Sequence, residues 1–401
     1  MVPKPGKDKR LAKNHRPISL LPCLGKVFER IIAKRLSSYM ENKNLYCPYQ
    51  SGFRKGHMSS EQLLRLVEET SNGIKQRKIT AALFLDAEAA FDKAWQDGIR
   101  FKLCELNLPQ RITRLISSFL ESRTLKVKVG KEISRTIKME AGTPQGSSLS
   151  PLLYLILVND IPKEVTNTAS LSQFADDTAI WSKANTFHGA VSQLQKSLNF
   201  LEGWCRRWRL KLNGSKSKLL IIHRKKLSQP DDLGLLLGND IVYPSRSAKF
   251  LGLDIDDKLN FNLHFDEKAR KALARLNLFR ILSYRGVENA ILIRLYKTFV
   301  RPLFEYGCIA TIATGKPNVK KLQRVQNEFI RTCLKLPRYL SINLLHEAAG
   351  LDMVDLRLKS LAKRHLKKIE SHDNIKSLIE CRRSSVDSVR VEFKSPLDVL
   401  T

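Results

Sequence analysis

The sequence contains no Cys-x-x-Cys pair and no clustered histidines. Its seven cysteines are odd in number and scattered, which argues for reduced thiols packed as small core residues and against both a disulfide framework and a structural zinc site. Long apolar runs are missing as well. The longest, Pro151 to Val158, is far too short to span a bilayer, and the N-terminus carries Lys4, Lys7, Lys9 and Arg10 with no apolar stretch behind them. An intracellular, soluble protein with no membrane partner is the expectation. No Gly-Lys-Ser/Thr follows a glycine-rich loop, which excludes a Walker-type phosphate site. Negative charge is scarce: 39 Asp plus Glu against 70 Lys plus Arg leave a net charge of +31, spread along all 401 residues. Such an excess repels itself in a folded chain and points to a large anionic partner. Nucleic acid is favoured over a membrane surface, because no basic segment carries the continuous apolar face that lipid needs. At 43% hydrophobic, the chain can bury real cores in two or three domains, and it has no internal repeat.

Against that background stands Phe174-Ala175-Asp176-Asp177, two adjacent acids inside an otherwise apolar run from Leu171 to Trp181. The β-friendly flanks predict a hairpin with Asp176 and Asp177 at its tip, where a divalent cation would offset their repulsion. Taken alone, the pair reads equally as a solvated turn. A second acid changes the weighing. Asp86 ends the apolar strand Ala81 to Leu85, and an ionised carboxylate there is costly unless it is paired, bound to metal or capping the next helix. Two-metal phosphoryl transfer needs carboxylates from separate segments to hold two cations about 4 Å apart. Asp86 and Asp176 on neighbouring strands would meet that need.

Along the rest of the chain, residues 2–20 suggest a cation-tipped hairpin with Lys4 and Arg16 on its arms, suited to a polyphosphate or simply a basic surface loop. Leu24 to Met40 predicts an amphipathic helix with Val27, Ile31, Ile32 and Leu36 inward. Gln50 to His57 is a glycine-punctuated loop, able to approach a strand of nucleic acid or to serve as a structural turn before the helix Glu61 to Lys75. Asp97 to Arg123 reads as helical, and Leu125 to Gly130 as a basic hairpin. Glu140 to Pro151 is a glycine-rich loop running into a capped apolar helix that ends near Asn159 and Asp160. A helix through Val191, Leu194, Leu198, Leu201 and Trp208 precedes residues 204–226, which hold nine Lys or Arg and no acid. Strands are expected at Leu219 to Ile222 and around Lys249 to Asp254. From His264 the chain turns helical and basic, with Leu273, Leu276 and Phe279 inward and Lys268, Lys271, Arg275 and Arg280 largely outward. Arg382 to Thr401 reads as a loose tail.

In this order, Asp86, Gly142 to Pro151, Phe174 to Asp177, Lys216 and Lys249 to Gly252 resemble the reverse transcriptases of non-LTR retrotransposons. The jockey-like branch is the nearest match, through Arg16-Pro17-Ile18-Ser19-Leu20-Leu21, Gln50-Ser51-Gly52-Phe53-Arg54, Ala90-Phe91-Asp92-Lys93 with Trp95, and Gly142-Thr143-Pro144-Gln145-Gly146-Ser147. The likeness extends through Arg301 to Gly307 and Val325-Gln326-Asn327. It implies an α+β right-hand polymerase: fingers over residues 1–80 with 99–140, a palm of antiparallel sheet and packed helices over 81–255, a helical thumb over 256–345, and a helical extension with a loose tail over 346–401. The implied activity is copying an RNA template into DNA from a primer 3′-hydroxyl, with deoxynucleoside triphosphates as substrates. Asp86 and Asp176 would bind two Mg²⁺ ions, with Mn²⁺ an alternative, and Asp177 would stand beside them. Lys4 and Arg16 would hold the triphosphate, and Gln145 and Gly146 would touch the nascent pair. Phe91 would exclude a 2′-hydroxyl, unless it merely packs beside Ala89 and Ala90. Lys216 would be a general acid toward pyrophosphate, and Phe250, Leu251 and Gly252 would grip the primer. The implied setting is nucleus and cytoplasm, as a ribonucleoprotein. Oligomeric state is left open.

The chain departs from the family at Ala89, where Lys is usual, at Met58 and Ser60, and over Ala310 to Thr314, where Trp is usual. It begins within the first fingertip motif and contains neither an upstream endonuclease nor a later RNase H or cysteine-rich segment, so it reads as a piece of an element. That leaves two competitors. One is a catalytically inactive nucleic-acid-binding remnant; the other is an RNA-dependent RNA polymerase, which Phe91 disfavours.

Overall fold

The computed structural model of the chain describes residues 1–4, 6, 8–224, 229–230, 232–384 and 393–400. The expected N-terminal hairpin is present: Val2–Pro3 (β1) pairs antiparallel with His15–Arg16 (β2), Val2 lying opposite Arg16. Helix α1 (Cys23–Asn42) buries Glu29, Ile32, Leu36 and Met40. Val27 and Ile31, expected inward, are 54% and 47% exposed. Both sets repeat at helical spacing, but they lie more than a quarter turn apart, and only one face meets the body of the protein. Helix α2 (Ser59–Lys75) is buried almost all round, so it lies inside the molecule despite its polar residues.

The strand Ile79–Leu85 (β3) is buried at every position, the pattern of a strand covered on both faces. The predicted helix over 97–123 is two, Gln96–Glu105 and Gln110–Leu120, because Pro109 cannot continue the first. The basic hairpin over 124–138 turns at Gly130, whose φ is +61°. Helix α3 (Ser150–Leu157) begins with Pro151 in its first turn, and Ser170–Phe174 (β4) and Asp177–Ala184 (β5) form the acid-tipped hairpin. After α4 (Phe187–Arg207) come Lys218–Ile222 (β6) and Pro244–Ser245 (β7). One sheet gathers these strands in the order β7-β6-β3-β5-β4, antiparallel except for the short β6–β7 edge pair. Strand alternation then divides the protein in two. Ile79, Ala81, Leu83, Leu219, Ile221 and Ile180 face one core with α1, α3 and α4, while Ala82, Phe84, Trp181, Leu220 and Ile222 face a second core with α2 and the C-terminal helices.

The second core is completed by the hairpin Ser247–Phe250 (β8) with Leu253–Asp256 (β9) and by two long helices, α5 (Asn262–Tyr284) and α6 (Lys316–Leu334), which pack on each other. On α5 the buried stripe is Ala269, Ala272, Leu276, Phe279 and Ser283, and Leu273, expected inward, is 45% exposed because it lies one position off that stripe. Gln326 and Asn327 face a buried polar network: the Tyr296 hydroxyl donates to Gln326 Oε1 at 2.6 Å, and His346 Nε2 lies 2.9 Å from Asn327 Oδ1. Helices α7 (Val354–Ile369) and α8 (Asp373–Ser384) follow. The expected loose tail is corrected at its end, where Pro396–Leu400 (α9) docks on α2 and α7 with Leu397 fully buried. Glu68 accepts from the Leu397 amide at 3.0 Å and Lys75 pairs with Asp398 at 2.7 Å, so buried charge on α2 gives that segment somewhere to bind. Residues 385–392 and 401 of that expected tail, and Lys7, Lys225 and Lys226 of the basic stretches, lie outside the described residues. Among the described residues no helix is long and apolar enough to cross a membrane.

Candidate active site

Asp86 is carried by the residue after β3, and its backbone is held from the far side of the sheet end. The Asn213 amide donates to the Asp86 carbonyl at 2.9 Å, and the Asp86 amide donates to Ser217 Oγ at 3.4 Å. Because Leu85 pairs with Thr178, the next step of the same register brings Asp86 and Asp177 to one end of the sheet. Asp176 lies in the two-residue loop that joins β4 to β5, after Ala175 at φ +59°. A positive φ at the first loop position of a tight hairpin ordinarily selects glycine, so this turn needs outside support.

The electrostatics follow from that crowding. Asp176 and Asp177 reach the surface at the rim, yet enough protein surrounds them for desolvation to raise both above the usual carboxylate range. For Asp177 desolvation is the larger cause and the charges of Asp176 and Asp86 add to it, bringing it to about 6. For Asp176 the Asp86 charge raises it further, and its own backbone amide and Arg16 pull back. Lys216 Nζ stands 3.1 Å from Asp86 Oδ2. A purely oxygen donor set, with Asp176 and Asp177 raised above the usual carboxylate range, fits a hard divalent ion such as Mg²⁺.

Beside Asp86 and Asp176 opens a cleft of about 590 Å³, whose lining does not include Asp177. Asp86, Asp176, Lys216 and Phe91 line it from the sheet side, Lys4 and Arg16 from the N-terminal hairpin, and Gln145 and Gly146 from the glycine-rich loop. Phe91 is half-buried, with Tyr154 5.0 Å and Phe53 6.3 Å away between ring centres, so packing holds its ring at the cleft wall. The Gln145 amide donates to both oxygens of Asp92 at 2.9 and 3.0 Å, which fixes the loop over the segment after β3. Gly142 belongs there for want of space: its φ is +86°, and a Cβ would lie 2.4 Å from the Asp92 carbonyl. Gly146, at φ +106°, lies under the Ser19 carbonyl, and the Ser19 amide donates to the Gln145 carbonyl at 2.7 Å.

Residues 2–255 match the family model described as reverse transcriptase (RNA-dependent DNA polymerase). The chain belongs to the reverse transcriptase family. Among curated relatives, the probable RNA-directed DNA polymerase from transposon X-element of Drosophila melanogaster is 31% identical, covering 100% of this chain and 44% of its own length. That from transposon BS of the same fly is 32% identical over 94% of this chain and 42% of the relative. The RNA-directed DNA polymerase from mobile element jockey, also of Drosophila melanogaster, is 28% identical over 93% of this chain and 41% of the relative. The chain thus spans less than half the length of each relative. An α+β right-hand polymerase fold, with the five-stranded sheet as its palm, is what family membership means for this architecture.

Not every residue singled out in the sequence lies in the cleft. Phe250 is 3% exposed and packs on Phe84 at 5.4 Å, so its side chain is core and only its backbone borders the turn. Leu251 and Gly252 form the β8–β9 turn, with φ +45° and +77°, away from the cleft lining. The Tyr306 hydroxyl donates to the Leu251 carbonyl, a brace that the sequence did not announce. Gln50 was likewise missed as a positioning residue. Its side-chain oxygen accepts from the Ala175 amide at 2.8 Å and its nitrogen donates to the Ala175 carbonyl at 3.3 Å, clamping the strained residue before Asp176. Gly52 is the reason that clamp can close, since a Cβ there would stand 2.2 Å from the Ala175 nitrogen. The Gln50 to His57 loop is therefore a structural support for the acid hairpin. Its signal in the sequence was the glycine itself, but nothing local named the partner.

Proposed function

We propose that this chain is the polymerase portion of a non-LTR retrotransposon reverse transcriptase, extending a DNA primer on an RNA template with deoxynucleoside triphosphates. The observation that carries the reading is one cleft lined by Asp86, Asp176 and Phe91 together with Lys4 and Arg16. Two divalent ions, Mg²⁺ or alternatively Mn²⁺, would be held by Asp86 and Asp176 with Asp177 alongside, and would supply activation of the primer hydroxyl and charge stabilisation at the departing pyrophosphate. Lys4 and Arg16 bind and orient the triphosphate, Arg16 with a planar fork suited to phosphate oxygens. Phe91 presents an aromatic wall to the sugar and so disfavours a 2′-hydroxyl. Gln145, held by Asp92, and Gly146 set the floor under the nascent base pair. Lys216 Nζ donates to Asp86 and lies in place to protonate the leaving group. The Leu251–Gly252 turn steadies the primer strand through its backbone.

In the same reading, residues 1–80 with 99–140 act as fingers, 81–255 as palm, 256–345 as thumb and 346–401 as an extension, and the protein works as a ribonucleoprotein in nucleus and cytoplasm. The thumb's exposed Arg270, Lys271 and Arg280 track a duplex through its phosphates. The test is primer extension on an RNA template with Mg²⁺, comparing the chain with Asp176→Asn. Extension should fall by on the order of 10³-fold or more, with template-primer binding retained. Equal extension by the variant would reject the reading. Tight binding without extension by either protein would assign a nucleic-acid binder instead.

A further inference from the structure

Outside the cleft lining, helix α2 opens on a second cluster. Glu61 lies in its first turn with a side chain only 1% exposed, and two imidazoles converge on its carboxylate. His57 Nδ1 stands 2.9 Å from Glu61 Oε2, and His372 Nδ1 stands 3.2 Å from Glu61 Oε1. The two rings lie 4.3 Å apart between centroids, tilted by 30°. One ligand atom from each of the three residues falls within 4.8 Å of the others. The scattered histidines gave no hint of this, because His57 precedes α2 and His372 begins the turn into α8 near the other end of the chain.

A hydrogen-bonded carboxylate shared by two histidines would be the plain account of the trio, and His57 satisfies it. His372 does not. Its Nδ1 is buried, lies 3.2 Å from the carboxylate, and makes no hydrogen bond among the described residues. A buried ring nitrogen left beside a carboxylate without a hydrogen bond has polar capacity to spare, which a cation shared by the two groups would satisfy. Zinc bonds of about 2.0–2.1 Å place tetrahedral ligand atoms roughly 3.4 Å apart, close to the two imidazole–carboxylate spacings already present.

We propose that His57, Glu61 and His372 bind a zinc ion as three protein ligands, with water in the fourth position. Two imidazoles and one carboxylate are a donor set that zinc prefers and Mg²⁺ does not, so this site is separate in chemistry as well as place from the acids of the cleft. Its effect is to staple the C-terminal extension to the loop that supports the acid hairpin. The Asn374 side chain, two residues past His372, donates to the Pro48 carbonyl, so α8 already touches the base of that loop. The loop then runs through Gln50 and Gly52 to Ala175.

The test uses the intact chain, stripped with chelator and titrated with Zn²⁺ and, separately, Co²⁺. One equivalent of zinc should bind, cobalt should give the intense visible bands of a tetrahedral site, and zinc should raise the melting temperature. His372→Gln should weaken binding by more than the roughly 100-fold typical of losing a mere outer partner, whereas Asp176→Asn should bind zinc as the parent does. Imidazole ¹⁵N shifts of His57 and His372 in the unaltered protein give the same answer without relying on a variant's folding. Shifts at both Nδ1 atoms on adding zinc support the site. Absence of bound zinc, or zinc that leaves both imidazoles unshifted, overturns it.

Discussion

Asp177 has its charge opposed twice, by lost water and by two neighbouring carboxylates, and the sign of the consequence can be worked out. Its value in the folded chain is about 6 against an ordinary 3.8, so between these limits the folded protein keeps a proton that the unfolded chain has released. Stability without added metal is therefore highest at the acid end of that window and falls as pH rises through about 6. Asp177→Asn should flatten this dependence and stabilise the metal-free protein at neutral pH by about 1 kcal/mol, discounted for the water at the rim. Urea unfolding across pH 4 to 7 measures it, and a variant with the parent's slope would remove Asp177 as the cause. Divalent-ion affinity should run the other way and rise through about pH 6, because the ion competes with that proton. Gln50 makes a second prediction at this scale. Gln50→Ala leaves the buried Ala175 amide and carbonyl without their partner, a cost of about 1–3 kcal/mol for an unsatisfied group. Primer extension should drop at least about tenfold while duplex affinity holds, since each 1.36 kcal/mol of misplacement energy is tenfold in rate. Loss of affinity with an unchanged rate would place Gln50 on the nucleic acid instead.

Among the elements, β3, the β4–β5 hairpin and α3 were legible because period and punctuation agree: an unbroken apolar strand, an apolar run broken by two acids, a proline at a helix start. The helix faces were less legible. Val27 and Leu273 sit on apolar repeats as regular as those of their buried neighbours, and only the shape of what packs against α1 and α5 chooses between them. The loop from Gln50 to His57 was read as a turn or an approach to nucleic acid, and it proved to be packed against a hairpin more than a hundred residues away in sequence. Gly52→Ala tests that packing. A methyl group 2.2 Å from the Ala175 nitrogen must push the loop or the hairpin aside, at a cost of about 1–3 kcal/mol for overpacking. The expected result is lower stability by denaturant titration together with slowed extension, and a fully active, fully stable variant would show that the contact is dispensable.

For the molecule as a whole, +31 of net charge is too much for fold stability alone to explain. Binding to a template-primer duplex should weaken by on the order of 10³-fold between about 50 and 200 mM salt, as for a protein making several phosphate contacts. The Asp176→Asn variant should follow the same slope, because phosphate contacts and the acids are separate groups. A shallow slope would remove nucleic acid as the reason for the charge. The sequence by itself determined the charge balance, the order of the motifs and the positions of the acids in the chain, since composition, strand period and short motifs are local properties that survive in any arrangement. Tertiary structure decided which distant residues meet: Gln50 with Ala175, Tyr306 with Leu251, His57 with His372, and the C-terminal α9 with Glu68 on α2. These contacts depend on which faces the sheet and helices turn toward each other, and the free energy that selects those faces comes from burying two whole cores at once rather than from any one stretch of chain.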